Sequence, residues 1–272
     1  MNVETLMRKS VEMRRRSKNY LSNAFYNIQQ WKELEDRNVL GVYEGEKSIW
    51  VSIREKDVYR IVFFTESVED IGAMDFSIFN GYDMPVVLEF LDKKNNIDKL
   101  QAIIEKKQFI RTKGLQRMYC TNMNCGEAQL MEEGYSIQVA QKENGKEIYD
   151  ILYKIFDIRV SRLPDMGQIL KDIEERHVFV VKEQKRIVGV AYFQRQGAKV
   201  EYLYQLALLE QYRGKNLVYL LLNYAVKKLG EDKQYSVWVE TDNVKGIHVY
   251  QKIGFQEDGL KEYVFQYIEK GE

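Results

Sequence analysis

The sequence predicts an α+β chain of two units, each a central, mixed and mostly antiparallel sheet flanked by helices. Three observations carry this expectation. At 272 residues the chain exceeds one average domain, so two domains are expected. Runs with a period of two alternate with runs near a period of 3.6 along both halves. The halves also read in similar order: α-α-β-β-β-(irregular)-β-α-β-β before Gly134, and β-α-α-β-β-β-α-β-α-β-β from Gly134 onward. That likeness suggests an internal duplication with a worn first copy, and it sets the domains at 1–133 and 134–272.

Each element has a local reason. In the first half, Leu6, Met13, Tyr20, Leu21, Ala24, Phe25, Ile28, Trp31 and Leu34 fall near a helical period over residues 4–36, with a break at Ser22 or Asn23. Val39–Tyr43, Ser48–Arg54 and Val58–Thr65 read as strands of an antiparallel meander, separated by Gly45 and Glu55-Lys56-Asp57. Residues 66–84 are irregular or weakly helical. Val86–Leu91 is a buried strand opened by Pro85, and Asn95 or Asn96 caps a helix from Ile97 to Lys107. Phe109–Thr112 and Leu115–Thr121 read as two strands around Lys113-Gly114. In the second half, Tyr135–Gln141 alternates as a strand, and Glu147–Phe156 and Met166–Arg176 are helices, the latter capped by Asp165. Strands His177–Lys182, Ile187–Gln194 and Lys199–Leu209 follow. Leu217–Leu229 is helical, Tyr235–Glu240 a strand, the next helix runs to about Lys252, and Tyr263–Ile268 is the last strand.

Composition narrows the function. Hydrophobic residues are 45% and charged residues 30%, a soluble globular balance. Lys+Arg and Asp+Glu both number 41. Neither half carries a basic footprint, which argues against nucleic acid and anionic lipid as partners. Arg14-Arg15-Arg16-Ser17-Lys18 reads as a solvated helix face. No apolar run approaches the roughly 18 residues of a membrane span, and no secretory signal is seen, so a cytoplasmic location is expected. Cys120 and Cys125 have no nearby histidine and read as ordinary reduced thiols, with no metal implied. His177 and His248 are the two histidines, which argues against a histidine-based nucleophilic triad.

The most informative stretch is Gln211-Tyr212-Arg213-Gly214-Lys215-Asn216. It joins a strand to a helix. The first amides of a helix point outward without intrahelical partners, and the macrodipole adds partial positive charge there. Arg213 and Lys215 reinforce that charge. Physics alone therefore predicts a phosphate or pyrophosphate site.

This half of the chain, about Gly134 to Lys270, resembles the GCN5-related N-acetyltransferase (GNAT) family. The family's turn signature, Gln/Arg-x-x-Gly-x-Gly/Ala, is met by Gln211 and Gly214 and departs from pattern at Asn216. A second signature is met by Asn243, Tyr250, Gly254 and Phe255, in matching order and spacing. The resemblance implies tandem GNAT-like domains, the first a degenerate or accessory copy. It implies acetyl-CoA as co-substrate, its pyrophosphate on the backbone amides of Arg213, Gly214, Lys215, Asn216 and Leu217. Pantetheine would enter a gap between splayed strands, bonded by the main chain of Leu206, Ala207 and Leu208 and by the Asn243 side chain. Asn216 stands where a small residue lets the backbone approach phosphate closely, so its departure bears first on donor binding.

The implied reaction is transfer of acetyl to a primary amine by direct attack, with neither cysteine near the site. Tyr250 matches the position that protonates the departing sulfur, and Glu201 the position of a base acting through water; Glu240 competes for that role. Tyr202 and Tyr204 face the acceptor cleft or the core, and His248 is a surface or packing residue. The acceptor is a small-molecule or peptide amine. The first unit, lacking such a turn between Thr65 and Pro85, walls the acceptor site, docks on the second unit or mediates homodimer formation. The competing reading is a non-catalytic acyl-CoA-binding regulatory or scaffold protein.

Overall fold

The computed structural model describes residues 1–93, 97–121, 123 and 134–269. In chain order its helices are α1 (Val3–Arg16), α2 (Ile28–Asp36), α3 (Ile97–Glu105), α4 (Gly145–Ile155), α5 (Met166–Glu174), α6 (Leu217–Leu229) and α7 (Val244–Lys252). Its strands are β1 (Leu21–Ser22), β2 (Leu40–Glu44), β3 (Ser48–Arg54), β4 (Tyr59–Thr65), β5 (Val86–Asp92), β6 (Phe109–Cys120), β7 (Tyr135–Val139), β8 (Val178–Glu183), β9 (Arg186–Gln196), β10 (Val200–Leu208), β11 (Gln234–Glu240) and β12 (Gln256–Tyr267). The caps expected at Asn95 or Asn96, and Cys125, lie outside the described residues.

The chain forms two compact units. One comprises Met1–Gly114 and Leu260–Glu272, the other Leu115–Gly259. A single cut at Gly134 does not describe this division. The strands expected at Phe109–Thr112 and Leu115–Thr121 are one continuous strand, β6, because Lys113-Gly114 stays extended within it. Its Leu115–Cys120 segment pairs antiparallel with β11 and so completes the sheet of the second unit. Likewise Lys261–Gln266 of β12 pairs antiparallel with β5 and completes the sheet of the first. Each half of the sequence thus lends a strand to the sheet of the other half. Pattern along the chain reports that a strand exists, whereas its partner is decided by the sheet edge available.

In the first unit β2, β3 and β4 form the expected meander, and β4 pairs with β5 in parallel. α1 and α2 cover one face, burying Val3, Leu6, Met13 and Trp31 against Ile49, Val51, Ile53, Val62 and Phe64. The long helix-period run breaks more widely than expected. Asn27 starts α2 with a capping box shared with Gln30, and the chain between the helices makes the short strand β1. Residues 66–84 hold two 3₁₀ turns, Glu69–Ala73 and Phe76–Phe79. They cover the other face with Trp50, Phe63, Phe109 and Phe265.

In the second unit β7, β8, β9 and β10 pair antiparallel in sequence, and β10 pairs with β11 in parallel. α4 and α5 bury Ile148, Leu152, Ile169 and Ile173 on one face with Val180, Val190 and Tyr192. α6 and α7 bury Leu217, Leu221, Ala225, Tyr250 and Ile253 on the other with Phe179, Phe193, Leu203 and Val237. Asp165 caps α5 by accepting from the Gln168 amide at 2.8 Å.

Candidate functional site

The site is built at the parallel pair β10 and β11. Their pairing runs only from Val200–Leu203 against Gln234–Val237. β10 then continues to Leu208 with β9 as its partner, while the rest of β11, Trp238–Glu240, pairs with β6. The two strands therefore part after Leu203. A β-bulge between Leu203 and Gln205 marks the parting point. The extra residue also reverses the side-chain alternation. Leu203 packs toward α6 and α7, and after the bulge Leu206 and Leu208 take that face. Ala207 then faces α4 and α5, and Gln205, level with Tyr192, shares that face.

Past Leu208 the chain makes one 3₁₀ turn, Glu210–Tyr212, and enters α6 through two left-handed residues, Gly214 (φ 82) and Asn216 (φ 58, ψ 5). Side chains other than glycine and asparagine disfavour this conformation. Asn216 thus meets the backbone demand that its position imposes. A Cβ on Gly214 would have no neighbour within 4 Å, so the backbone angle, and not crowding, calls for glycine there. The first bond of α6 joins the Leu220 amide to Asn216 O at 3.2 Å; the amides of Leu217, Val218 and Tyr219 precede it at the helix start. The Arg213 amide is engaged differently from expectation: it donates to Glu210 O at 3.1 Å and closes the 3₁₀ turn.

The basic side chains frame this turn. Arg213 Nε donates to Leu208 O at 3.4 Å. Lys215 Nζ donates to the Tyr135 hydroxyl at 2.9 Å and lies over the rings of Tyr135 and Tyr212. Tyr212 donates to Glu183 at 2.7 Å, and that bond, with burial second, raises its pKa. Gln211 is exposed.

Asn243 starts α7. Its Oδ1 accepts from the Gly246 amide at 2.9 Å. Gly246 permits this packing, since a Cβ there would fall 2.6 Å from Asn243 Nδ2. Tyr250 lies in the last turn of α7, 8% exposed, its ring 5.6 Å from that of Phe255. No described residue bonds its hydroxyl, and burial alone pushes its pKa well above the ordinary tyrosine value. The proton is held firmly on a side chain facing the core that lines β10 and β11.

Cys120 belongs to the same core cluster as Tyr250, and its Sγ donates to Ile253 O at 3.9 Å. Register against Tyr235 carries β6 there, which its distance in sequence conceals. It is a buried thiol bonded to the end of α7.

Glu201 is completely buried. Its Oε1 is held by Lys233 Nζ and, at 3.3 Å, by Arg195 Nε. Its Oε2 stands 3.6 Å from His177 Nε2. Three side chains, from just before β8, from β9 and from just before β11, thus converge on one carboxylate at the closed end of the β10–β11 opening. The parallel register brings Lys233 there, a signal the local pattern does not contain. Glu240 is half-buried at the opposite, open end of β11, and His248 is exposed.

On the α4–α5 face the tyrosines form a polar, aromatic wall. The Tyr204 hydroxyl donates to Arg162 O in the connection between α4 and α5. Tyr192 is buried and donates to Asp172 at 2.5 Å; burial first, then that carboxylate, raises its pKa. Rings of Tyr202 and Tyr204 lie 5.6 Å apart, and those of Tyr192 and Tyr204 5.8 Å. Gln205, 6% exposed, lies on this face and was not singled out in the sequence. Among the described residues no cluster of three or more His, Cys, Asp or Glu side chains could hold a metal, and no helix is long and apolar enough to cross a membrane.

Comparison with known proteins bears on this geometry. Residues 145–255 match the sequence model of the acetyltransferase (GNAT) family. The fold is similar to a GCN5-related N-acetyltransferase from Sphaerobacter thermophilus, with a TM-score of 0.57 at 11% identity over 92% of this chain and 95% of that one. It is similar to a tandem GNAT protein from the clavulanic acid biosynthesis pathway, with a TM-score of 0.55 at 10% identity over 86% and 84% of the two chains. A GCN5-related N-acetyltransferase from Kribbella flavida gives a TM-score of 0.56 at 10% identity, over 87% and 94%. At such identities the likeness is one of fold. No curated protein matches the chain.

Proposed function

Residues 145–255 are a GNAT-family domain, and from that premise we propose that the protein is an acyl-CoA-dependent N-acyltransferase that moves acetyl from acetyl-CoA to a primary amine of a small molecule or peptide. The observation that carries this reading is the parting of β10 and β11 after Leu203, directly before the left-handed turn that opens α6. An extended arm fits beside the backbone of Leu206, Ala207 and Leu208 by strand addition. Its pyrophosphate fits the amides from Gly214 to Leu217, near Arg213 and Lys215. Asn243 offers Nδ2 to the arm, and Gln211 flanks the turn. The second unit, Leu115–Gly259, supplies these groups; the first is the accessory unit.

The chemistry follows from the groups present. A neutral amine attacks the thioester carbonyl carbon, a C–N bond forms, and the C–S bond breaks. Tyr250 gives its proton to the departing sulfur, and the surplus proton of the amine leaves through water. Burial keeps Tyr250 protonated until a stronger base arrives, which suits the acid role. The buried ion pairs of Glu201 suit anchorage of the site, so the proton acceptor in this reading is Glu240, acting through water. Attack is direct, within a ternary complex, and most of the acceleration comes from positioning.

One observation favours a second reading. Glu201, expected as base, is completely buried and ion-paired with Lys233, an arrangement that also fits an acyl-CoA-binding regulatory protein without turnover. Calorimetric titration with acetyl-CoA, followed by thiol release over a panel of amines, separates the two. Binding with amine-dependent thiol release supports the transferase. Absence of binding refutes both.

A further inference from the structure

The first unit contains its own pair of parallel strands, and they part in the same way. β4 and β5 pair only at Tyr59–Ile61 against Val86–Leu88, although β4 runs on to Thr65 and β5 to Asp92. As in the second unit, a meander strand flanks the pair on one side. The opening is filled by the connection between α1 and α2. Leu21 and Ser22 form β1 and pair antiparallel with Thr65 and Phe64. Ser22 Oγ donates to Phe63 O at 2.7 Å, and Ser17 Oγ donates to Glu66 O at 2.6 Å.

Asn23 closes the gap. Its Oδ1 accepts from the Phe63 amide at 2.7 Å. Its Nδ2 donates to Ile61 O at 2.9 Å and to Glu89 O at 2.8 Å. One carboxamide, 3% exposed, thus satisfies backbone groups of both strands at the place where their ladder fails. Strand addition followed by an amide between two parting strands is the bonding that an acyl-pantetheine arm would make in the second unit. Here the chain makes it with its own residues. The crossover also lacks a phosphate seat. Between β4 and β5 stand two 3₁₀ turns, with Glu69, Asp70 and Asp75 at their starts in place of a long helix and basic residues.

We propose that the β4–β5 opening is an acyl-CoA-type slot permanently occupied by the chain's own segment, residues 21–24, with Asn23 in place of the arm's amide. The protein then takes one acyl-CoA per chain, in the second unit. This inference rests on the acyl-CoA reading of the second unit, and its test separates the two.

Hydrogen exchange of the whole chain, read by mass spectrometry with and without acetyl-CoA, is the experiment, with native mass spectrometry for stoichiometry. The expected result is one acetyl-CoA per chain, with protection gained in residues 203–217 and none gained in residues 61–65. Two bound molecules, or acetyl-CoA-dependent protection of residues 61–65, overturn the proposal. In Asn23→Ala, residues 21–24 and 61–65 should together exchange at least about tenfold faster than in the wild type, with residues 203–217 unaltered. Retained protection of Phe63 in that variant overturns the proposal whatever acetyl-CoA does. Lack of any acetyl-CoA effect in the wild type refutes the donor site of the second unit instead. If Asn23→Ala does not fold, stoichiometry and ligand protection in the wild type still decide.

Discussion

Replacing Tyr250 by phenylalanine separates catalysis from stability more cleanly than any other change at this site. The ring stays, with its packing against Phe255 and the core. The hydroxyl has no hydrogen bond from a described residue, so its removal forfeits none. A typical hydrogen bond contributes about 1 kcal/mol, and the expected change in stability is therefore smaller than about 1 kcal/mol in either direction. Loss of a general acid costs about 10²–10⁴-fold in rate, or roughly 3–5 kcal/mol of barrier. Tyr250→Phe should thus melt like the wild type and transfer acetyl about a hundredfold more slowly or worse. The pH dependence gives a second readout. The folded pKa of Tyr250 lies above its ordinary value of 10.0. The folded state favours the neutral phenol, and that advantage is present below about pH 10 and is lost as pH rises toward the folded value. Wild-type stability should fall above pH 10, and the phenylalanine variant should fall less. Thermal unfolding at neutral and alkaline pH, with thiol release at saturating acetyl-CoA and acceptor, measures both. Turnover at the wild-type rate in Tyr250→Phe would refute the acid role. A stability loss of about 3 kcal/mol at neutral pH would refute the reading of its hydroxyl as unbonded.

Glu201→Ala leaves Lys233, whose side chain is 16% exposed, without its carboxylate, while Arg195 at 54% can turn to water. The cost should sit near the lower end of the about 3–5 kcal/mol typical of a broken buried pair, with partial recovery on adding Lys233→Met. Unchanged melting with lost transfer would return Glu201 to the base role. Asn216→Gly keeps the left-handed turn and should change stability by less than about 1 kcal/mol. Asn216→Val should cost about 1–3 kcal/mol and weaken acetyl-CoA binding; a valine variant that binds as tightly as the wild type contradicts the proposed turn. Gly189→Ala puts a Cβ 2.7 Å from side-chain atoms of Leu208 and Val181 and 3.2 Å from Ala207 O. It should cost about 1–3 kcal/mol by overpacking, and an unchanged melting temperature would show that the end of β10 yields without strain.

Much of the fold was legible in the chain because its causes are local. Alternation marks β8 to β11, a 3.6 period marks α4 and α6, and Asp165 caps α5 where it should. The left-handed backbone at Gly214 and Asn216 is of a kind their residue types permit, although the sequence marked Asn216 only as a departure from pattern. Where prediction departed from structure, the missing information was long-range. Lys113-Gly114 has the composition of a turn yet lies inside β6, which runs continuously from Phe109 to Cys120. Asn23 looked like a break between helices, and its role appears only when β4 and β5 part around it.

By itself, then, the sequence determined the two-unit α+β composition, the strand-turn-helix at Gln211–Leu217, and the order of Asn243 and Tyr250 behind it. These follow from hydrophobic period, caps and backbone preference, which act over a few residues. Only the tertiary structure decided which strands complete which sheet, that Glu201 is buried and paired with Lys233 and Arg195, and that the first unit's opening is filled by its own chain. Those outcomes depend on strand register and on which backbone groups a partner leaves unpaired, and both are set by residues tens of positions away.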